Sequence, residues 1–164
     1  MSNHVPATAF VPHDHQACAA RALDGAEARV AAGGGRLTPV RRRTLEILLE
    51  SHRAMGAYDI LQRLAGAGFG HQPPVAYRAL EFLVRHGLAH RLQRLNAFAA
   101  CLHPGHDHPA AFFICRQCDR LAEFPATHSV SHVKSSVLKC KKFFVYFFLR
   151  EETIVCDFGF SPKP

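Results

Sequence analysis

Three short segments of helical period, followed at once by two segments that alternate apolar with polar residues, occupy residues 38–101 and leave few folds open. Thr38-Pro39 starts the first: threonine suits an N-cap, and proline, with its fixed φ and missing N–H, suits the first helical position. Behind it Leu45, Leu48 and Leu49 recur at i, i+3, i+4 and so share a face. The second segment runs from Ala57, carries Ala57, Ile60, Leu61 and Leu64 on one stripe, and ends at Gly66 and Gly68. The third follows Pro73-Pro74, turns Ala76, Leu80 and Leu83 inward, and stops at Gly87. Leu88–Arg94 and Ala97–Cys101 then read as two strands around Asn96, and Gln16–Ala32 as an earlier helix closed by Gly33-Gly34-Gly35. The expected class is α+β. Three helices and a two-stranded ribbon in this order make a winged helix-turn-helix, an order that other small α+β domains share.

Composition narrows the partners. No apolar run reaches the ~18–20 residues that a membrane helix needs, and the longest, Phe143–Leu149, falls far short. The first fifteen residues contain neither a basic segment nor an apolar block, so no secretory signal is visible and a cytoplasmic location is expected. A formal net charge of +7 favours a polyanionic partner, usually nucleic acid. Six cysteines without a secretory signal argue for thiols used as ligands or sensors rather than as disulfide staples.

Composition also breaks near residue 126. All five lysines lie beyond it, fourteen of the fifteen arginines lie before it, and alanine stops at Ala126. Arginine and lysine are near-equivalent on a solvated surface, so folding does not require this segregation. It points to residues 127–164 arising from a different reading frame or genomic context, which resequencing the coding DNA across the junction tests; the alternative is an unusual C-terminal extension.

Several side chains suit nucleic-acid contact. Arg41, Arg42 and Arg43 fall in the first turn of the helix that Thr38 opens, where positive charge opposes the helix dipole by ~0.3–1 kcal/mol per charge. Phosphate contact would offset that cost, although a solvated basic face is the simpler alternative. On the third helix Tyr77 adjoins Arg78, and Arg85 lies seven residues on, a set suited to phosphate or base-edge contact. Tyr77 could equally close the core with its ring, and Glu81 would repel phosphate unless it pairs with Arg78 or Arg85. Farther on, Cys115-Arg116-Gln117-Cys118 has the spacing that lets two thiolates reach one tetrahedral ion at ~2.3 Å. Its flanks, Ala111–Ile114 and Leu121–Phe124, read as strands, which puts the pair at a hairpin tip. An incidental pair of buried thiols is the alternative. His13-Asp14-His15 with Cys18 could scavenge metal, although a floppy N-terminal tail is the expected reading, and His52, His71 and His86 are expected at the surface or facing phosphate.

Three blocks in order, Arg36-Leu37-Thr38-Pro39-Val40-Arg41, Ala57-Tyr58-Asp59-Ile60-Leu61 and Pro73-Pro74-Val75-Ala76-Tyr77-Arg78-Ala79-Leu80, resemble the DNA-binding domain of the ferric uptake regulator (Fur) superfamily. The family's usual Thr-Val-Tyr-Arg is Val-Ala-Tyr-Arg here, and the resemblance covers about residues 16–126. It implies a dimeric, metal-responsive repressor that binds double-stranded promoter DNA, with an N-terminal winged helix and a C-terminal α/β dimerisation domain. Within the superfamily the chain is similar to zinc uptake regulators (Zur), whose sensing site takes a His after the recognition helix, a Cys closing the wing, a His seven residues before the hairpin CxxC and a Glu five after it. Those positions are His90, Cys101, His108 and Glu123, two imidazoles, a thiolate and a carboxylate. The iron-sensing branch lacks a counterpart of Cys101, and a thiolate favours zinc over iron or manganese. Four protein ligands leave no open place for a reacting water, so no enzymatic role is implied.

The resemblance fails after Phe124. The family's structural zinc site joins Cys115 and Cys118 to a second CxxC that this sequence lacks; Cys140 and Cys156 stand singly. The expected organisation is therefore a disordered tail over 1–15, a winged helix over 16–101, a hinge loop over 102–109, the start of a zinc and dimerisation domain over 110–126, and an atypical segment over 127–164. The aromatic block Phe143–Leu149 is an aggregation hazard unless buried. Weaker structural zinc binding and a weaker homodimer are expected; a clean dimer with one structural zinc per chain in sedimentation would refute this. The leading function is zinc-dependent repression of zinc uptake genes. The alternatives are a relative that senses iron, manganese or peroxide, and a zinc-binding protein whose regulation is lost with its C-terminus.

Overall fold

A computed structural model describes residues 14–102, 110–115, 119–125, 142–149 and 152–159. The chain divides into two compact units, one spanning Asp14–Asp107 and the other containing the strands that follow.

The first unit opens with α1 (His15–Ala32) and α2 (Pro39–Leu49), continues through the two-residue strand β1 (Met55–Gly56), and adds α3 (Ala57–Gly66) and α4 (Pro73–Arg85). It closes with the wing strands β2 (Ala89–Leu92) and β3 (Ala97–Ala100). Asp14 and His15, expected in a tail, are the N-cap and the first residue of α1. The Asp14 carboxylate accepts from the amides of Gln16 (3.0 Å) and Ala17 (3.1 Å), satisfying two of the donors that a helix start leaves orphaned. The rest of the expected tail lies outside the described residues.

Thr38 holds the N-cap of α2 with Pro39 next, though its side chain makes no capping bond. The apolar face of α2 is buried as expected, and Thr44 joins it, its hydroxyl donating to the Val40 carbonyl at 2.7 Å so that a polar side chain enters the core satisfied. Val30, Leu48, Ile60, Leu64, Leu80 and Leu83 form the centre of that core, each element contributing the face its period requires. Gly87 ends α4 at φ +65°, a left-handed conformation, while its amide reaches the Val84 carbonyl and that of Leu88 reaches Leu83. Arg29 of α1 donates to the His86 carbonyl at 2.7 Å, which ties α1 to this helix end.

The wing sheet has the order β1-β3-β2, with both pairings antiparallel. β2 and β3 face each other from Ala89↔Ala100 to Leu92↔Ala97. A 3₁₀ turn (Gln93–Leu95) and Asn96 at φ 46° connect them. Asparagine is among the few residues that take this conformation readily, which is why a chain reversal falls there.

The second unit is an antiparallel sheet of order β5-β4-β6-β7, built from β4 (Ala110–Cys115), β5 (Leu121–Pro125), β6 (Lys142–Leu149) and β7 (Glu152–Gly159). β4 and β5 are the expected hairpin strands; Phe113 and Phe124 meet edge to face at 5.1 Å. The aromatic block forms β6, which pairs with β4 from Ala111↔Phe147 to Cys115↔Phe143 and with β7 along its other edge. Both edges of the hazardous segment are thus hydrogen-bonded, the usual protection for such a strand. Cys156 falls in β7 opposite Val145. Among the described residues, no helix is long and apolar enough to cross a membrane.

Candidate metal centre and nucleic-acid interface

Four proposed zinc ligands divide between the two units, and the wing supplies two of them. His90 lies on β2 opposite Ala99 and is half-buried. Cys101 follows β3 directly; its amide donates to the Leu88 carbonyl at 2.9 Å, so the ladder fixes the thiol, and the residue is 3% exposed. A ring nitrogen of His90 and the Cys101 sulfur lie within 4.8 Å of each other. Tetrahedral zinc with bonds of ~2.0–2.3 Å holds its ligands ~3.3–3.8 Å apart, so a modest side-chain adjustment lets both bind one ion.

The strand unit supplies Glu123, on β5 opposite Phe112 and 3% exposed. Removing an ionised carboxylate from water costs several kcal/mol unless a partner or metal compensates, which makes a buried glutamate an unusual occupant of a strand otherwise built from Leu121, Ala122 and Phe124. Imidazole, thiolate and carboxylate together are a donor set that fits zinc. Cys115 ends β4, fully buried, its amide donating to the Arg120 carbonyl at 2.9 Å. His108, Cys118 and Cys140 lie outside the described residues.

The arginine triplet divides. Arg41 turns inward: its guanidinium stands 3.6 Å over the Phe82 ring and donates to the Arg36 carbonyl at 3.1 Å. Arg42 pairs with Glu27 of α1 and with Glu46 (3.1 Å). Arg43 pairs with Glu46 (3.2 Å) and Glu50 (3.1 Å), and Glu50 also pairs with Arg63 of α3. The unfavourable charge at the start of α2 is therefore offset within the chain, so the helix dipole by itself gives no reason for phosphate contact here. Only Arg42 of the three is exposed.

Arg78 and Arg85 are exposed on α4, and Tyr77 is 43% exposed, so its ring does not close the core. Among the described residues no ion pair joins Glu81 to either arginine. Arg85 also complements the negative end of the helix dipole, which accounts for part of its placement. A second exposed aromatic, quoted above only as part of a family block, is Tyr58 in the first turn of α3, 68% exposed. Its signal is its place beside rather than on the Ile60/Leu61/Leu64 stripe, where a tyrosine has little packing reason to be. His71 is exposed as expected, whereas His86 is half-buried and stacks on Phe82 at 3.9 Å.

No protein-family model matches the chain. Two curated relatives do, the zinc uptake regulation proteins of Escherichia coli strain K12 and Shigella flexneri, each 37% identical over 89 residues. The alignment takes in 54% of this chain and 52% of each relative, so the chain spans about half the length of the curated relatives it matches. Solved structures extend the likeness. A zinc uptake regulator complexed with zinc and DNA is 30% identical with a TM-score of 0.61 over 78% of this chain and 83% of that one. The crystal structure of holo XcZur is 32% identical with a TM-score of 0.57, over 74% of this chain and 82% of that one. A winged helix, a wing carrying His90 and Cys101, and these relatives agree: the chain belongs to the Fur superfamily, in its zinc uptake regulator branch.

Proposed function

We propose that the chain is a zinc-responsive transcriptional repressor that binds double-stranded promoter DNA of zinc uptake genes, with zinc as co-repressor. The observation that carries this reading is the His90–Cys101 pair, two zinc-type donors within 4.8 Å on the wing of the same unit that presents α4. Relatives named as zinc uptake regulators, one of them complexed with zinc and DNA, support it.

In this reading Tyr77 and Arg78 of α4 meet base edges or phosphates in the major groove, Arg85 and Arg42 meet phosphate, and Arg41 and Arg43 brace the helices behind them. His90 and Cys101 from the wing, with His108 and Glu123 from beyond it, would hold the ion. Bound there, zinc would hold the wing strands β2 and β3, which follow α4 directly, in one arrangement. The protein's own residues then restrict the pose of the reading helix, which raises DNA affinity by favouring one conformation over others. Cys101 sets the preference for zinc over harder metals. Cys115 and Cys118 are the protein's contribution to a separate structural zinc. The full response requires a homodimer that spans two half-sites.

Fluorescence anisotropy of promoter DNA from the source organism's zinc importer genes, titrated at buffered free zinc, iron(II) and manganese(II), tests this. Tight, salt-sensitive binding that zinc alone promotes is expected. Binding promoted by iron or manganese instead would move the chain to another sensing branch, and binding indifferent to every metal would reduce it to a zinc-binding protein without regulation.

A further inference from the structure

We propose that the chain carries a second zinc site, independent of the sensing set, formed by His15, Cys18 and His52. One imidazole nitrogen from each histidine and the thiol sulfur of Cys18 lie within 4.8 Å of one another. His15 and Cys18 stand three apart at the start of α1, a spacing that stacks two side chains on one helix face. His52 comes from the connection between α2 and β1, and its ring centroid lies 4.6 Å from that of His15. Both ring nitrogens of His15 are shielded from solvent, and Cys18 is a free thiol, half-buried.

Two imidazoles and one thiolate are a donor set for zinc, and bonds of ~2.0–2.3 Å require the three atoms to close in by about 1 Å. Asp14 is not the fourth ligand through its capping oxygen, which accepts from the Gln16 and Ala17 amides. Three protein donors with water in the fourth place make an exchangeable site rather than a permanent one.

The surrounding packing gives such a site a mechanical role. The buried residues of α1 are Ala22, Ala26 and Val30, all beyond its first turn. Its first turn therefore has little apolar area to hold it, and the cluster falls there. An ion on these three residues ties the start of α1 to the segment that leads into α3, stiffening the unit that presents α4.

The test uses the full chain, equilibrated at buffered free zinc and freed of unbound metal by gel filtration, with zinc per chain measured by mass spectrometry. Cys18→Ser and His52→Gln are each expected to lose one zinc equivalent while keeping the helical circular dichroism of the wild type. Cys101→Ser is expected to retain that equivalent, which separates this site from the sensing site. Wild-type stoichiometry in both Cys18→Ser and His52→Gln would overturn the proposal. A measurement on the unmodified chain guards against misfolded variants: zinc is expected to slow amide hydrogen exchange over residues 16–20 at least tenfold, and unchanged exchange there would overturn the proposal as well.

Discussion

Replacing Arg41 by alanine separates bracing from nucleic-acid contact within a triplet that looks uniform in sequence. Its guanidinium lies 3.6 Å above the Phe82 ring, well inside cation–π range, and donates to the Arg36 carbonyl at 3.1 Å. A partly desolvated cation–π contact contributes ~0.5–2 kcal/mol and a neutral hydrogen-bond acceptor ~0.5–1.5 kcal/mol. Arg41→Ala should therefore cost about 1–3 kcal/mol, or several degrees of melting temperature at the ~4–8 °C per kcal/mol of a small domain. Arg42→Ala removes pairs to Glu27 and Glu46 that are largely exposed, worth ~0–1 kcal/mol and screened at 1 M salt, where the Debye length is ~3 Å. Urea unfolding followed by circular dichroism, at low and high salt, measures both. A double-mutant cycle with Phe82→Leu should return a coupling of ~0.5–2 kcal/mol that salt leaves nearly unchanged. If Arg41→Ala costs no more than Arg42→Ala, or the cycle shows no coupling, the bracing role of Arg41 is wrong.

Other perturbations follow from the same packing. Leu80→Ala, in the fully buried centre of α4, should destabilise the first unit by ~2–5 kcal/mol in urea unfolding; a loss below ~1 kcal/mol would mean the site is not in the core. Gly87→Ala places a side chain at φ +65° with its Cβ 3.2 Å from Arg29 Nη2, so a loss of ~1–2 kcal/mol is expected, against no change if the helix end can relax. Tyr58→Ala and Arg78→Ala should leave stability within ~0.5 kcal/mol because both side chains are exposed. Arg78→Ala should nonetheless weaken specific DNA binding by ~1–3 kcal/mol in anisotropy, and unchanged affinity would remove it from the interface.

How much of this was legible depended on whether the signal was local. The helices announced themselves because Ile60, Leu61, Leu64, Leu80 and Leu83 repeat with the helical period and prolines or glycines punctuate the ends. β1 escaped notice because two residues, Met55 and Gly56, carry no period, and their pairing with Phe98 and Ala97 is a tertiary fact. The pairing of Arg42 and Arg43 with Glu46 is legible at i, i+4 and i, i+3, and it offsets the charge that the helix dipole opposes. Glu27 and Arg63 could not have been added from spacing. Cys18 falls inside the helix expected over 16–32, His15 joins it through the Asp14 cap, and His52 meets them only through folding. The sensing residues came from family resemblance; once the wing had formed, backbone pairing alone accounted for the meeting of His90 with Cys101. The aromatic block of β6 read correctly as β-forming, while its partner strands on both edges were beyond any local pattern.

The central claim is that zinc held by the wing raises affinity for DNA, and its most direct test is promoter-DNA anisotropy of the wild type beside Cys101→Ser across a range of buffered free zinc. The wild type should bind at least about tenfold more tightly with zinc, a coupling of ~1.4 kcal/mol or more, and Cys101→Ser should show a flat response. A wild-type affinity that ignores zinc, or a Cys101→Ser variant that keeps the full response, would contradict the account.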